Sequence, residues 1–536
     1  AETVRENELA ARSIAVLPFL NLDTIEANRS LADSFAQALA ARMSGLGVAR
    51  VVAKTDGIAA TPGAGTLADL RKIERQAGVR TVLTGTLRRV GDKCRISLRL
   101  SDAQTGDTLF ARAIDTNPSA PASEAACLLA KELFAAISGS QPRTVAVDPA
   151  AVDPVANEFL RAGDELLGRG TIADIDRSID CYLRAIDVQP KSARARAAFV
   201  IAVVNRAALS AERPGLIGKA EQYGREAVAL NKDIESTHRA LESLLFLQGK
   251  FVQAREEALR EMEAGGFLYG SVGLSLIDKM CGRPDLALRW SAICSHWSSR
   301  PADCESIAGD CWAALGDDTK AEAHYRRVSD LYPETPEGWI GLCRVKLLQG
   351  NFSVAKTICS ENVARYPDYR FAREMAGEVE FFSRNFTEAD HIYGPLENDD
   401  PAGGGSFYGS VSYQSAIGRA MQEMGDAASE DLLKRCLRVE EAALRMAPGH
   451  PTILYRVAAI ESSLGQIESS LAHLKSAFAA GWLDYRSLGL DPRFDRLRED
   501  IRYRGISEVM ATRVASLRRF ESPITNDYKT NRRKKE

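Results

Sequence analysis

The sequence predicts an α+β domain with a small sheet, followed by an all-α solenoid of helical repeats. Two patterns carry this prediction. Near the front, residues 83–111 alternate apolar and polar side chains with a period of two, which is typical of half-buried strands. From residue 249 onwards a short motif returns every 33 or 34 residues, which is typical of stacked helix pairs. A chain of 536 residues is long enough for two or more such cores.

The overall composition indicates a globular protein. Hydrophobic residues make up 45% of the chain and charged residues 26%, as in ordinary folded domains. The formal net charge of -3 argues against direct nucleic-acid binding, which normally needs a strongly basic surface. No signal peptide and no run of about 18 apolar residues is present. Because the chain opens with Ala1 rather than Met, we expect any membrane attachment to come from an anchor upstream of it.

The front domain is expected to cover residues 13–143, after a linker at 1–12. Its elements read in order as strand, helix, strand, helix, hairpin strands and helix. The apolar run 13–19 predicts the first strand, and turn signals at 91–92 and 105–106 separate the hairpin strands. The first helix is predicted from an apolar face at four-residue steps, made by Leu31, Phe35, Leu39 and Met43.

The repeat follows a linker at 144–156 and covers residues 157–482. A turn-like residue with an alanine five positions later recurs at steps of 33, 34, 34 and 34, at Gly249, Gly282, Gly316, Gly350 and Arg384. This period resembles the tetratricopeptide family, whose small, aromatic and proline positions are matched in one unit by Gly309, Trp312, Tyr325 and Pro333. The resemblance implies a superhelix of about nine helix–turn–helix units. Pro395 is expected to shorten the second helix of its unit.

The end of the chain is expected to cover the open end of the stack. Asp491 followed by Pro492 predicts a helix start, with the acid as N-cap. Capping helices are therefore expected at 483–519. The remaining residues, 520–536, are basic and polar and predict a disordered tail.

The front domain also resembles a known family. The stretches IAVLPFLNL (14–22) and AGVRTVLTGTLRRVGDKCRISLRLSDAQTGDTLFA (77–111) are similar to the TolB-type N-terminal α/β domain. In bacteria that domain commonly precedes tetratricopeptide repeats, so the resemblance covers nearly all of the chain. The segment after the first strand and the loop 54–66 depart from the family pattern. No binding role is therefore carried over to them.

No catalytic constellation emerges from the sequence. The six histidines are isolated, and no zinc-protease, serine-hydrolase or phosphate-loop motif occurs. We therefore expect no enzyme activity, cofactor or metal in this chain. The ten cysteines form no CxxC pairs. They are interpreted either as small buried apolar residues or as disulfides between neighbouring helices, and their spacing does not decide between the two.

The expected functional surface is the concave groove of the solenoid. The tetratricopeptide resemblance implies that the first helix of each unit lines it. Transferring the groove positions selects residues whose mixed charges and apolar side chains suit the capture of a protein or peptide. These are Asp303, Ser306, Asp310, Glu337, Ile340, Arg344, Phe371, Glu378 and Phe381.

The resemblance implies a non-catalytic sensory or protein-interaction region of a bacterial signalling protein. The leading hypothesis is the periplasmic part of a membrane-anchored winged-helix transcriptional regulator. The first alternative is the cytoplasmic regulatory region of a class III adenylate or guanylate cyclase, and the second is a free-standing adaptor. A homodimer is compatible with each of them. The oxidation state of the cysteines distinguishes the exported reading from the cytoplasmic one.

Overall fold

The computed structural model describes most of the chain: residues 13–23, 26–46, 48, 50–53, 67–117, 122–137, 153–169, 171–209, 214–231, 234–264, 266–297, 302–367, 369–399 and 411–518. Several sequence predictions lie outside the described residues. They are the linker at 1–12, most of the linker at 144–156, the loop at 54–66 and the tail at 520–536.

The front domain is a mixed six-stranded sheet with helices on both faces. Its elements are β1 (Ser13–Val16), β2 (Leu20–Asn21), α1 (Glu26–Gly45), β3 (Arg50–Ala53), α2 (Leu67–Ala77), β4 (Thr81–Val90), β5 (Lys93–Asp102), β6 (Thr108–Thr116) and α3 (Ala122–Ile137). The strand order is β3-β1-β4-β5-β6, and β2 pairs with β4. Strand β1 runs parallel to β3 and β4, whereas β4, β5 and β6 form antiparallel hairpins.

Because side chains alternate along a strand, successive residues of β1 pack against different helices on the two faces of the sheet. Ile14 and Val16 of β1 join one buried cluster with α1 and α3, whereas Ala15 points to the opposite face and joins α2. The predicted α+β domain is therefore confirmed. Of the apolar helix face at steps of four, Phe35, Leu39 and Met43 are buried with 1%, 0% and 0% exposure, and Leu31 is partly buried.

The rest of the described chain is helical. Nine consecutive helix pairs fill residues 154–480: α4 (Pro154–Arg169) with α5 (Ile172–Val188), α6 (Ala193–Leu209) with α7 (Pro214–Leu230), α8 (Glu235–Leu247) with α9 (Phe251–Glu263), α10 (Phe267–Met280) with α11 (Pro284–Trp297), α12 (Ala302–Ala314) with α13 (Asp318–Leu331), α14 (Glu337–Leu348) with α15 (Phe352–Arg365), α16 (Arg370–Phe382) with α17 (Phe386–Asp399), α18 (Tyr413–Glu423) with α19 (Ser429–Met446), and α20 (Pro451–Ser463) with α21 (Ile467–Ala480). The predicted all-α solenoid is confirmed. None of the helices in the described ranges has the length and apolar character needed to cross a membrane.

The periodic motif forms the turn inside the third to seventh helix pairs, and Gly465 forms the corresponding turn in the ninth. The turn glycines adopt positive φ, for example +67° at Gly249 and +71° at Gly350, a conformation that side chains disfavour. Arg384 takes the same conformation with φ +64°. The residue five positions later is buried where the two helices meet. It is 0–1% exposed at Ala254, Ala287, Ala321, Ala355, Ala389 and Ser470.

The prediction that Pro395 shortens its helix is wrong. Helix α17 runs for 14 residues through Pro395, as long as α15 in the preceding pair. The proline lies four residues before the end of the helix and is exposed. Only one backbone hydrogen bond is lost there, and packing of the helix on its neighbours outweighs that loss.

Three elements follow the ninth pair: α22 (Tyr485–Leu490), a 3₁₀ helix (Pro492–Leu497) and α23 (Ile501–Arg518). We call residues 481–518 the C-terminal segment. Asp491 caps the 3₁₀ helix by accepting from the backbone N–H of Arg493 at 2.9 Å, as its position before Pro492 predicts. Phe494 and Leu497 are fully buried in one cluster with residues of the ninth pair.

The solenoid closes on itself. The ring centroid of Phe251, in the third pair, lies 5.7 Å from that of His450, in the turn before the ninth pair. The turn at Gly282, in the fourth pair, touches Gly481 just after the ninth. The superhelix therefore completes a turn, and its inner face is enclosed on both sides.

The front domain docks on the outside of this turn. Arg88 of β4 is 4% exposed and forms ion pairs with Glu256, at 2.9 Å, and with Glu263, both on α9. The guanidinium of Arg289 donates to the carbonyl oxygen of Asn21 at 2.6 Å. The buried cluster beneath α2 continues into the third and fourth pairs, where it includes Trp290. Sheet and solenoid thus share one apolar core.

Candidate protein-binding cavity

A cavity of about 550 Å³ lies on the inner face of the superhelix. Its walls come from the first helices α10, α12, α14, α16 and α20, together with the C-terminal segment. Seven of the nine predicted groove residues line it: Ser306, Asp310, Glu337, Ile340, Arg344, Phe371 and Glu378. The residues that the family's groove positions select thus come from three successive helix pairs and meet in one cavity.

The other two predicted residues lie elsewhere. Asp303 is exposed, and its negative charge contributes to raising the pKa of Tyr369. Because Tyr369 lines the cavity, Asp303 lies near the edge of the cavity. Phe381 was expected in the groove but is 0% exposed in the core, with its ring centroid 5.9 Å from that of Phe386. The physical reason is that α16 and α17 converge at the turn that joins them. The end of α16 is therefore enclosed by its partner helix.

The sequence did not predict that the C-terminal segment would lie inside the groove. Trp482, Leu483 and Asp484 form part of the cavity wall. The Arg344 guanidinium donates to the Asp484 carboxylate at 3.2 Å, and Arg486 donates to Asp318 at 2.8 Å. The capping pattern in the sequence gave no indication of these contacts, because their partners lie 140 or more residues away in sequence.

Further contacts hold the segment across the inner face. Arg384, the residue with positive φ, donates to both carboxylate oxygens of Asp495 at 2.6 and 2.7 Å. At the other end, Val514 and Leu517 of α23 pack in a buried cluster with Leu288 and other residues of the fourth and fifth pairs. The segment therefore fills much of the groove, and the cavity is the part that it leaves open.

Two of the acidic groups in the cavity are compensated by neighbouring cations. Burial acts to raise the pKa of Asp310, but Lys279 and the hydroxyl of Tyr325, which donates at 2.6 Å, hold that pKa below its usual range. Asp484 is the partner of Arg344. Burial acts to lower the pKa of Arg344, but Glu378, Asp484 and Asp310 outweigh it, so this guanidinium stays charged.

Two other acids keep free acceptor atoms. The Oε1 atom of Glu337 accepts from the hydroxyl of Tyr369 at 2.8 Å, whereas its Oε2 atom is buried without a hydrogen-bond partner. The Oε1 atom of Glu378 is likewise buried and without a partner. Burial raises the pKa of Glu378, and Arg344 only partly offsets this effect. The cavity therefore has hydrogen-bonding capacity that the chain itself does not use.

Within the described residues, no group of three or more histidine, cysteine, aspartate or glutamate side chains is arranged to hold a metal ion. Three histidines instead pair with glutamates of a neighbouring helix. The Nδ1 atoms of His238, His324 and His473 lie 2.7, 2.7 and 2.8 Å from glutamate oxygens. These are structural pairs between helices, and they join residues that show no common motif in the sequence.

The cysteine question, left open by the sequence, has a partial answer. Cys294 and Cys304 form a disulfide between α11 and α12, and Cys343 and Cys359 form one between the two helices of the sixth pair. Cys94, Cys311 and Cys436 are buried thiols that form no disulfide. Both interpretations therefore hold, each for a different set of cysteines.

Comparison with known proteins gives two matches at the sequence level. Residues 1–114 match the family model described as FlgO protein. A stretch of 106 residues is 34% identical to "Putative adenylate cyclase 3" of Rhizobium meliloti (strain 1021). This match covers 20% of the present chain and only 18% of that relative.

Several solved structures are similar to this chain. They include pilF of Pseudomonas aeruginosa (16% identity, 42% of this chain and 97% of that one, TM-score 0.31) and a thermophilic TPR protein of Thermus thermophilus (19%, 42% and 98%, 0.25). A tetratricopeptide repeat protein of Parabacteroides merdae is 13% identical over 52% of this chain and 98% of its own, with a TM-score of 0.31. At these identities the likeness concerns the fold alone. The helix pairs and their 34-residue period, rather than this likeness, identify the helical part of the chain as a tetratricopeptide-like solenoid.

Proposed function

We propose that this chain is a non-catalytic protein-interaction region of a bacterial signalling protein, and that it binds a polypeptide segment in the inner cavity. The observation that carries the proposal is the cavity itself. Its volume of about 550 Å³ falls in the range of ligand sites. Its wall combines exposed apolar side chains such as Phe371 with charged groups from three helix pairs, which is the composition that peptide-binding grooves use.

For the cellular setting, we propose the periplasmic part of a membrane-anchored winged-helix regulator. The two disulfides support this assignment, because disulfides persist in oxidising compartments and are rare in the cytoplasm. On this proposal the DNA-binding part and the anchor belong to sequence upstream of Ala1. A signal would act by changing the population of two arrangements of the region.

The second candidate is the regulatory region of a class III nucleotide cyclase. The identity of 34% to the cyclase relative of Rhizobium meliloti favours it. This candidate places the chain in the cytoplasm and predicts that Cys343 and Cys359 are reduced in cells. The two settings are therefore separable by one measurement. Thiols are alkylated at the moment of cell lysis, and the peptides that contain the two cysteines are identified by mass spectrometry before and after reduction.

Peptide binding is tested by panning a displayed random-peptide library against the full chain. Clones that bind should lose binding when Ile340 in the cavity is replaced by Trp, which fills the space. The control is Val354→Trp, since Val354 is 40% exposed on the second helix of the same pair and outside the cavity. Clones that bind both variants equally well would contradict the proposal.

A further inference from the structure

We infer that the cavity recognises a lysine or arginine side chain of a partner polypeptide. This inference rests on the proposed function and adds the chemistry of the partner. Five acidic residues line the cavity (Asp310, Glu337, Glu374, Glu378 and Asp484) against two basic ones (Lys279 and Arg344). The formal difference is three negative charges in a partly enclosed space, where charge is screened less than at an open surface.

The ion pairs reduce this excess from three charges to two but do not remove it. Lys279 pairs with Asp310, and Arg344 pairs with Asp484, so both basic residues of the cavity wall already have an acidic partner. Glu374 accepts from Arg370 at 2.7 Å. Glu337 and Glu378 remain without a basic partner at ion-pair distance among the described residues, and each has one buried oxygen that accepts no hydrogen bond.

A buried acceptor without a donor costs free energy, so a ligand that supplies N–H groups gains the difference on binding. Lysine carries three such donors and arginine five, and neither carries an acceptor. A second carboxylate would be repelled, and a neutral hydroxyl would supply only one donor. The unused atoms of Glu337 and Glu378 therefore select for a cation with several N–H groups.

The apolar wall fits the stem of the same side chain. Tyr369 and Phe371 meet edge to face with ring centroids 5.8 Å apart, and Phe371 is 37% exposed. Met375 and Ile340 extend this wall. Aromatic faces attract lysine and arginine, and apolar surface covers their methylene groups. The volume of about 550 Å³ exceeds one side chain, which indicates that neighbouring residues of the partner also enter.

The test uses five pools of fluorescent, capped nonapeptides with a fixed central residue (Arg, Lys, citrulline, Leu or Glu) and mixed alanine, serine and leucine at the other positions. Each pool is titrated against the full chain by fluorescence anisotropy. We expect the Arg and Lys pools to bind about tenfold more tightly than the citrulline pool, which keeps the shape but loses the charge. The double variant E337Q/E378Q should bring the pools within about twofold of one another.

The control variant is E361Q/E388Q, which makes the same change of charge at two exposed glutamates outside the cavity. It should leave the preference for Arg and Lys intact. If all pools bind equally well and Ile340→Trp abolishes binding, this inference fails while the proposed function stands. If no pool binds and library panning also yields nothing, both fail.

One further variant addresses the basic end of the chain itself, where Arg532, Arg533, Lys534 and Lys535 offer the same chemistry. These four residues are changed to glutamine. If the Arg and Lys pools bind this variant but not the unchanged chain, the cavity is already occupied by its own terminus, and the assignment to a partner is overturned. Equal binding to both chains supports the partner.

Discussion

Gly282 and Gly481 lie backbone against backbone where the superhelix closes. A Cβ atom on Gly282 would lie 2.9 Å from the Cα and the carbonyl oxygen of Gly481, closer than side-chain atoms normally come. One glycine belongs to the turn of the fourth helix pair and the other follows the ninth pair. This contact, together with that between Phe251 and His450, brings the third and fourth helix pairs against the ninth.

We expect Gly282→Ala to destabilise the protein more than Gly316→Ala. Both glycines are turn residues with nearly the same backbone conformation, φ +69° and +72°, but no atom lies within 4 Å of the Cβ position at Gly316. The cost of positive φ, about 1 kcal/mol, is common to both variants. Overlap with Gly481 should add about 1–3 kcal/mol at Gly282. Urea unfolding measures the difference, and equal midpoints would show that the closing contact is absent in solution.

We expect the buried ion pair between Arg493 and Asp491 to hold the C-terminal segment in place. Both side chains are 0% exposed, the atoms Nη2 and Oδ2 are 2.6 Å apart, and Arg493 also donates to Ser415 of the eighth pair at 3.0 Å. Arg493→Met leaves a buried carboxylate without its cation. The free energy of unfolding should fall by about 3–5 kcal/mol.

The matched control for this variant is Arg502→Met. Arg502 pairs with Asp500 in the same sequence spacing, with its Nη2 atom 2.7 Å from Oδ2, but it is 43% exposed. Solvent screens such a pair, so thermal and urea unfolding should change little. Similar losses in the two variants would argue against burial as the source of the effect.

We expect stability to depend on pH through His450. Burial lowers the pKa of this histidine from 6.5 to about 3, and its Nδ1 accepts from the backbone N–H of Ile453 at 3.4 Å, which requires the neutral ring. The unfolded chain therefore binds a proton between pH 3 and 6.5 that the folded chain does not. This contribution to stability is complete above pH 6.5 and is lost as the pH falls, by at most about 1.4 kcal/mol per pH unit.

Asparagine caps helices without titrating, so His450→Asn should reduce the slope of unfolding free energy against pH in this window. His391→Asn is the control, because His391 is exposed. The slope is measured by urea unfolding at pH 5, 6 and 7. An unchanged slope in His450→Asn would show that the folded protein protonates this ring normally.

The opposite pH dependence is expected from Glu261 on α9. This residue is 0% exposed, and neither carboxylate oxygen has a hydrogen-bond partner. Burial raises its pKa well above the usual value, and the nearby carboxylates of Glu242 and Glu235 add to the shift against Arg239. The folded chain thus keeps a proton that the unfolded chain releases. Stability from this residue is greatest below about pH 4.3 and falls as the pH rises towards the folded pKa.

Glu261→Gln should therefore stabilise the protein at pH 8, by about 1–3 kcal/mol, and have little effect at pH 4. Exposed Glu361 provides the control, since Glu361→Gln should leave both values unchanged. Melting temperatures at the two pH values decide the question. A destabilising effect at pH 8 would indicate that Glu261 is ionised in the folded protein and bound to a cation.

The local patterns predicted the elements well. Alternating residues gave β4 and β5, steps of four gave α1, and the glycine–alanine motif located the turns and the buried helix contacts of five successive pairs. These features are local, because side-chain periodicity and turn conformation depend on residues close in sequence. Seven of the nine groove positions followed from the same register, whereas Asp303 is exposed outside the cavity wall and Phe381 is buried where α16 meets α17.

By itself, the sequence determined a small sheet domain, a stack of helix pairs and the first helices of the three consecutive pairs whose faces carry the candidate site. Only the tertiary structure decided that the stack closes on itself and that the C-terminal segment fills much of the groove. It also decided that Arg344 pairs with Asp484, while Glu337 and Glu378 each have an oxygen atom that accepts no hydrogen bond. The reason is physical. Each of these features depends on the accumulated curvature of nine helix pairs, to which every small crossing angle contributes.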